Sequence, residues 1–222
     1  MLGIIFTGGE GPKAQVIQKL LGPELKDALI IAADSGLSAA ENAGIKPDWI
    51  VGDMDSLKDQ SLLDAFPSDR VIRHEREKDF SDTELAFSLA KEKGCDPVWI
   101  IGGGGGRIDH IFAIRSMFER DSFPHRWITA NEDIYCISRE QGTGIMEQKT
   151  EKGALVSVFP LGSGPWEAVS EGLKWSLCGL AWDRGFFGIS NVAVDEKFSI
   201  IAETGRFMVI LPLDNRRNHC QR

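Results

Sequence analysis

The residues of this sequence with the clearest capacity for chemistry are aspartates at the ends of apolar runs. Pro47-Asp48-Trp49-Ile50-Val51-Gly52-Asp53-Met54-Asp55-Ser56 passes from an apolar stretch into two carboxylates one residue apart, with no basic residue beside them in the sequence. Such a pair is a hard oxygen site that suits Mg²⁺, and a metal lets two adjacent negative charges stay ionised together. Lys78-Asp79-Phe80-Ser81-Asp82 is a second acidic cluster, and Gly102-Gly103-Gly104-Gly105-Gly106-Arg107-Ile108-Asp109-His110 contains a third. One Asp-x-Asp pair is usually a solvated turn, but three clusters at equivalent places point to a magnesium-dependent phosphoryl-group transferase.

The elements that must position these residues alternate between strand and helix. Residues 2–6 form an apolar strand ending in Thr7-Gly8-Gly9-Glu10-Gly11, and Pro12 fits the first turn of a helix running to about Leu21. These glycines admit a phosphate close to the backbone, although their spacing matches neither common nucleotide-binding glycine signature, and a plain tight turn is an equal reading. Residues 28–33 are continuously apolar, as in a strand covered on both faces, and lead into Asp34-Ser35-Gly36. There Asp34 or Ser35 can cap a short helix closing at Gly44. A third strand at 49–52 delivers Asp53 and Asp55, and a fourth at 71–74, after a short helix around Leu62, leads to Asp79.

The next helix has a well-defined start: Ser81 and Glu84 form a capping box, Phe80 and Leu85 occupy the positions of a hydrophobic staple, and Gly94 supplies the stop. Asp82 then falls in the first turn, where the helix dipole favours it even without a ligand, whereas Asp79 lies outside the helix and has no such reason. A fifth strand at 97–101 ends in five consecutive glycines, followed by a helix to about Arg120. A run so costly to order is expected where backbone passes close to something, and Arg107 with the N–H groups of a helix start suits phosphate oxygens.

Alternation from residue 2 to about 125 implies an α/β domain with an open, mostly parallel, Rossmann-like sheet, whose ligands bind beyond the carboxyl ends of its strands. Asp34, Asp53, Asp55, Asp79, Asp82 and Asp109 all fall at such ends. The chain divides into this domain, 1–125, and an all-β sandwich domain, 126–222. In the latter, short apolar segments at 154–159, 172–177, 198–202 and 207–211 alternate with Gly, Pro, Ser and Asn, and no helix is evident. Trp166, Trp175 and Trp182 are core residues or, beside a Gly-x-Ser-Asn turn, a face on which a flat heterocycle stacks. The polar tail 215–222 is expected to be poorly ordered.

Composition narrows the classes further. With 42% hydrophobic and 26% charged residues, the 222-residue chain has the makings of a sizeable core, and its net charge of -8 argues against non-specific nucleic-acid binding. Cys95, Cys136, Cys178 and Cys220 form no C-x-x-C pair, so free thiols are expected rather than a zinc or redox site. The N-terminus has neither a basic region nor an apolar stretch long enough for a signal peptide or a membrane span, and a cytoplasmic protein is the expectation.

Seven segments together resemble the thiamine pyrophosphokinase family: Gly8-Gly9-Glu10, Ala33-Asp34-Ser35-Gly36, the 47–56 stretch, Lys78-Asp79-Phe80-Ser81-Asp82-Thr83-Glu84-Leu85-Ala86, Gly105-Gly106-Arg107-Ile108-Asp109-His110, Gly172-Leu173-Lys174-Trp175 and Gly188-Ile189-Ser190-Asn191. They occur in the family's order. Departures are Ser35, where the family often has a second Gly, and the absence of a basic residue close to Ser190-Asn191.

The resemblance implies ATP and magnesium binding in the first domain, a thiamine-binding β-sandwich, and a homodimer with active sites shared between chains. The implied reaction moves the β,γ-diphosphoryl group of ATP to the hydroxyl of thiamine, giving thiamine diphosphate and AMP. Asp53, Asp55 and Asp82 are then the expected metal ligands. Gly9, Asp34, Ser35, Gly104, Gly105 and Arg107 would form the nucleotide side, and Trp175, Ser190 and Asn191 the acceptor side. Asp79 or Asp109 would orient the hydroxyl, with the choice between them open. Alternatives are pyrophosphorylation of a pterin alcohol, a nucleotide-sugar transferase, an Asp-nucleophile phosphatase and a non-catalytic nucleotide sensor.

Overall fold

The computed structural model describes residues 1–57, 59–183 and 185–213. They form two compact units, one of Met1–Met117 with Ser122–Ala130, the other of Phe118–Asp121 with the residues from Asn131 onward.

The first unit contains β1 (Gly3–Phe6), α1 (Ala14–Leu21), β2 (Leu29–Ala33), α2 (Gly36–Asn42), β3 (Trp49–Gly52), β4 (Val71–Arg73), α3 (Asp82–Glu92), β5 (Val98–Ile101), α4 (Ile108–Met117) and β6 (Arg126–Ile128). Its strands lie in the order β6-β5-β1-β2-β3-β4, and all neighbours are parallel. Ile4, Ile5, Ile31, Ile50 and Ile100 are fully buried, as parallel strands covered on both faces require. Registers such as Phe6 with Ala32, Ala33 with Val51 and Gly52 with Arg73 align the strand ends, so the residues that follow emerge along one edge.

Local chemistry explains most boundaries. At α3, Ser81 Oγ accepts from Glu84 N at 3.3 Å while Ser81 N donates to Glu84 Oε2 at 2.8 Å, the expected capping box, and Gly94 follows at φ 78°. Phe80 is 55% exposed and lines a cavity instead of being buried as a staple residue. Pro12 lies just before the Lys13 cap of α1, outside the helix, and the turn around Leu62 is a 3-10 segment, Gln60–Ala65. Neither Asp34 nor Ser35 makes a side-chain cap on α2: Ser35 takes the cap position without such a bond, and Asp34 stands at φ 48°. Gly36 is required there, since a Cβ would lie 2.1 Å from Phe6 O as α2 passes β1. Strand β6 is only three residues long and extends the first unit beyond residue 125; so short a run leaves no periodic signal in the sequence.

The second unit is antiparallel. It contains β7 (Glu132–Ser138), β8 (Ile145–Lys149), β9 (Leu155–Leu161), β10 (Glu167–Glu171), β11 (Gly188–Val192), β12 (Lys197–Thr204) and β13 (Arg206–Pro212), and among its described residues no α-helix. The sheets β11-β9-β13-β7 and β10-β12-β8 contribute to one buried cluster that includes Val156, Val158, Ile200, Phe207 and Val209. Trp182 belongs to this core, edge-on to Phe207 with ring centroids 5.1 Å apart, whereas Trp175 is 53% exposed. Residues 172–177 contain no strand, only a bridge from Leu173 to Ala193. Among the described residues Cys95, Cys136 and Cys178 are free thiols, and no helix is long and apolar enough to cross a membrane. Cys220 and the 215–222 tail lie outside the described residues.

Candidate active site

The aligned strand ends of the first unit line a cavity of about 550 Å³. Gly9, Asp34, Ser35, Asp53, Asp79, Asp82, Gly104, Gly105 and Arg107 all border it, so the strand-end positions converge in space as well as in pattern. Asp55 and Asp109 are not among its lining residues.

Strand order creates the central feature. Because β3 lies between β2 and β4, the residues after β2 and β3 are neighbours, and the first turn of α3 reaches them: carboxylate oxygens of Asp34, Asp53 and Asp82 lie within 4.8 Å of one another. Gly52 makes this possible. It stands at φ 148°, and a Cβ on it would lie 3.1 Å from both Asp34 Cβ and Asp82 Oδ1. A second link ties α3 to the end of β1, the 2.6 Å hydrogen bond between the buried hydroxyls of Thr7 and Thr83.

The Asp-x-Asp loop is held from its middle residue. Met54, 1% exposed and at φ 64°, inserts into the core beside Leu57 and Leu63, which leaves its two flanking carboxylates at the surface of that core. Asp55 N donates to Asp53 Oδ1 at 3.0 Å; this bond, with the charge of Lys78, holds the Asp53 carboxyl below its usual range despite opposing burial. The side chain of Asp55 goes elsewhere, into an ion pair of 3.2 Å with the exposed Arg76. The compact group is therefore Asp34, Asp53 and Asp82, where the sequence led to Asp53, Asp55 and Asp82.

Two cations absent from the sequence-based site also arrive here. Lys78 Nζ lies 2.8 Å from Asp82 Oδ1 and 3.6 Å from Asp53 Oδ2, so the expected absence of a basic neighbour holds along the chain but not in space. The contact to Asp82 is close without being aligned as a hydrogen bond: Lys78 Nζ, Asp82 Oδ1 and Asp34 Oδ1 are all buried and lack a hydrogen-bond partner. Burial also raises the Asp34 pKa, outweighing the hydrogen bonds of Ser56 and of the Ser35 backbone. Three clustered carboxylates, two of them with a buried oxygen that lacks a hydrogen-bond partner, are a donor set that fits a hard divalent cation such as Mg²⁺. Spacing alone could have hinted at Lys78, which precedes Asp82 by four residues, but not at Asp53 as its second partner.

The glycine run behaves in two ways. Gly103 N donates to Gly8 O at 2.8 Å and Gly104 N to Glu10 O at 3.0 Å, and a Cβ on Gly102, Gly103 or Gly104 would strike Thr7 O, Ile114 Cδ1 or Glu10 O. Backbone does pass close to something here, but that something is the protein's own β1 loop. Gly106 meets nothing within 4 Å and faces the cavity, as do Gly105 and Arg107. Arg107 Nε and Nη2 donate to Asp109 Oδ1 and Oδ2 at 3.1 and 2.5 Å, so Asp109 serves Arg107 on the exposed side.

In the second unit the residues expected on the acceptor side are tied together by Asn191. Asn191 is 3% exposed; its Oδ1 accepts from Trp175 N at 3.1 Å and Val192 N at 2.9 Å, and its Nδ2 donates to Trp175 O at 2.6 Å. The amide bonds to backbone at both ends beside the exposed Trp175 indole, with Lys174 Nζ 4.7 Å from the ring centroid. Ser190, exposed and at φ 55°, donates its N–H to Ser157 Oγ at 3.0 Å. Ile189, Phe186 and Phe187 nearby in sequence are also exposed.

Comparison with known proteins agrees with this geometry. Residues 24–124 match the family model described as thiamin pyrophosphokinase, catalytic domain. A thiamine pyrophosphokinase of Bacillus subtilis (strain 168) is 28% identical over 176 residues, 75% of this chain and 78% of the relative. Thiamine pyrophosphokinase 1 of Arabidopsis thaliana is 25% identical over 171 residues, 72% of this chain but 63% of that longer protein. The crystal structure of thiamine pyrophosphokinase from Bacillus subtilis shares the fold with a TM-score of 0.75 at 23% identity, covering 95% of this chain and 98% of the other. The chain thus resembles the thiamine pyrophosphokinase family, most directly over a segment that carries Asp34, Asp53, Asp79 and Asp82 of the cavity.

Proposed function

We propose that the protein is a thiamine pyrophosphokinase that transfers the diphosphoryl group of ATP to the hydroxyl of thiamine, releasing AMP. The observation that carries this reading is the group of Asp34, Asp53 and Asp82 within 4.8 Å of one another, in a cavity also lined by Arg76, Lys78 and Arg107. Carboxylates for a cation beside cations for an anion are what a metal-nucleotide complex needs, and phosphoryl transfer depends on positioning and charge stabilisation more than on covalent chemistry. In this reading the first unit is the Rossmann-like ATP domain and the second a thiamine-binding sandwich.

Asp53 and Asp82 would hold Mg²⁺ with a third carboxylate from Asp34, or from Asp55 after release from Arg76. Bound there, Mg²⁺ would supply the charge that polarises the phosphate oxygens. Arg107 and the backbone around Gly105 and Gly106, which line the cavity, bind the phosphates, with Asp109 fixing the guanidinium plane. Asp79, exposed and on the cavity wall, is our choice for orienting the attacking hydroxyl, whose oxygen bonds to the β-phosphorus as the α-phosphate leaves with AMP. Trp175 offers its face to the flat heterocycle, and the exposed apolar residues around β11 favour a homodimer in which one chain's second unit serves its partner's cavity.

The test is the appearance of AMP from Mg-ATP. We expect it only when thiamine is present, and not with a hydroxymethylpterin. AMP formed with the pterin alone would move the assignment to the alternative acceptor, and ATP binding without turnover would indicate a sensor.

A further inference from the structure

We propose that Lys78 is a tethered cation that neutralises the carboxylate cluster of the metal-free protein and must be displaced by the divalent ion, so that metal and nucleotide bind cooperatively. This rests on the metal-nucleotide reading of the cavity and adds a role for a residue outside the expected ligand set.

The position of the ammonium is the first observation. Lys78 Nζ sits against Asp82 at 2.8 Å and Asp53 at 3.6 Å, two of the three carboxylates of the compact group. Its side chain is only 16% exposed, so the charge is held in the cluster and not in solvent. Asp82 and Asp53 together keep its pKa above the usual lysine value although burial opposes this. The second observation is incomplete satisfaction. Lys78 Nζ, Asp82 Oδ1 and the Oδ1 of Asp34, a residue 7% exposed, all lack hydrogen-bond partners. An ammonium dedicated to structure would be expected to align its donors with the acceptors around it. Here it supplies charge and leaves the oxygens open.

A divalent ion shared by Asp53 and Asp82 brings a second positive centre next to the ammonium, and the two repel strongly at such range in a partly buried site. The lysine has to leave. Its residue lines the same cavity as Arg76 and Arg107, so the displaced ammonium stays among groups of its own sign unless an anion enters. A nucleotide phosphate is the anion that the cavity's cations favour. Metal alone must therefore expel a cation with nothing to receive it, whereas metal arriving with phosphate gives the lysine a new partner, which couples the two binding events.

The experiment is calorimetric titration of the full chain with MgCl₂ alone, and with MgCl₂ in the presence of the non-cleavable α,β-methylene analogue of ATP. The unmodified protein is compared with Lys78→Met, which keeps the length and removes the charge. We expect Lys78→Met to bind Mg²⁺ alone at least about tenfold more tightly and to lose most of the gain that the analogue gives. Its thermal midpoint in chelator should fall and be restored by Mg²⁺, because Asp53 and Asp82 then lack their resident cation. If Lys78→Met does not fold in chelator, Lys78→Gln is titrated in its place, with the same expectation. Unchanged or weaker Mg²⁺ affinity in the variant overturns the proposal, as does failure of both proteins to bind Mg²⁺. AMP release with thiamine, measured separately on the unmodified protein, decides the catalytic reading without bearing on this one.

Discussion

The carboxylate cavity of the first unit and the Ser190-Asn191 turn of the second are both polar, yet they differ in how their polar atoms are satisfied. In the cavity, Asp34 Oδ1 is buried with no hydrogen-bond partner, and Asp82 Oδ1 is met only by the ion-pair contact of Lys78. In the turn, Asn191 is buried with both ends of its amide bonded to the backbone of Trp175 and Val192. Unpaired buried oxygens are costly in a folded protein unless something else binds them, whereas an amide bonded at both ends has less left to offer a ligand. The cavity is thus built for a guest and the turn is built to hold Trp175.

The strongest way to break this contrast is to remove a cavity carboxylate. Asp53→Asn should lower kcat/KM by roughly three orders of magnitude, the scale of losing several kcal/mol of metal-derived charge stabilisation, while circular dichroism shows an intact fold. An unfolded variant would instead make Asp53 a structural residue and erase the distinction.

Asn191→Ala sharpens the other side. It leaves the N–H and carbonyl of Trp175 without their side-chain partner, at a cost of about 1–3 kcal/mol, so the thermal midpoint should drop by roughly 2–12 °C. The KM for thiamine should rise more than the KM for ATP. Loss of thiamine binding with an unchanged midpoint would mean that the amide contacts the acceptor directly.

The smallest effect concerns Asp34. Burial raises its pKa above the ordinary aspartate value, so its contribution to stability is fully present below that ordinary value and is lost as pH rises through the higher folded-state value. Asp34→Asn should therefore gain in midpoint over the unmodified protein as pH rises from 4 to 7 in chelator, and the gain should shrink when Mg²⁺ is added. A midpoint difference that stays flat across that range would show that the carboxyl is not destabilised by burial.

Much of the first unit is legible because its signals are local. The apolar run of β3 and the Ser81/Glu84 capping box each depend on fewer than a dozen neighbouring residues, and both stand where the sequence places them. The three-residue β6 and the strand-free 172–177 stretch were not, since a strand that short has no period and the apolar run forms only an isolated bridge, from Leu173 to Ala193. Five glycines in a row announced close backbone approach, but only folding reveals that Gly102, Gly103 and Gly104 approach the β1 loop while Gly106 faces open space.

By itself, then, the sequence determined that aspartates stand at successive strand ends and that α3 begins at Asp82, because period, capping and turn chemistry are written in adjacent residues. Which carboxylates meet was decided only in three dimensions. The order β2-β3-β4 brings Asp34 to Asp53 and Asp82, burial of Met54 fixes the loop whose Asp55 pairs with Arg76, and Lys78 finds two partners of which one is 25 positions away in the chain. These are contacts between distant segments, set by packing and backbone conformation, and no spacing rule within a single stretch encodes them.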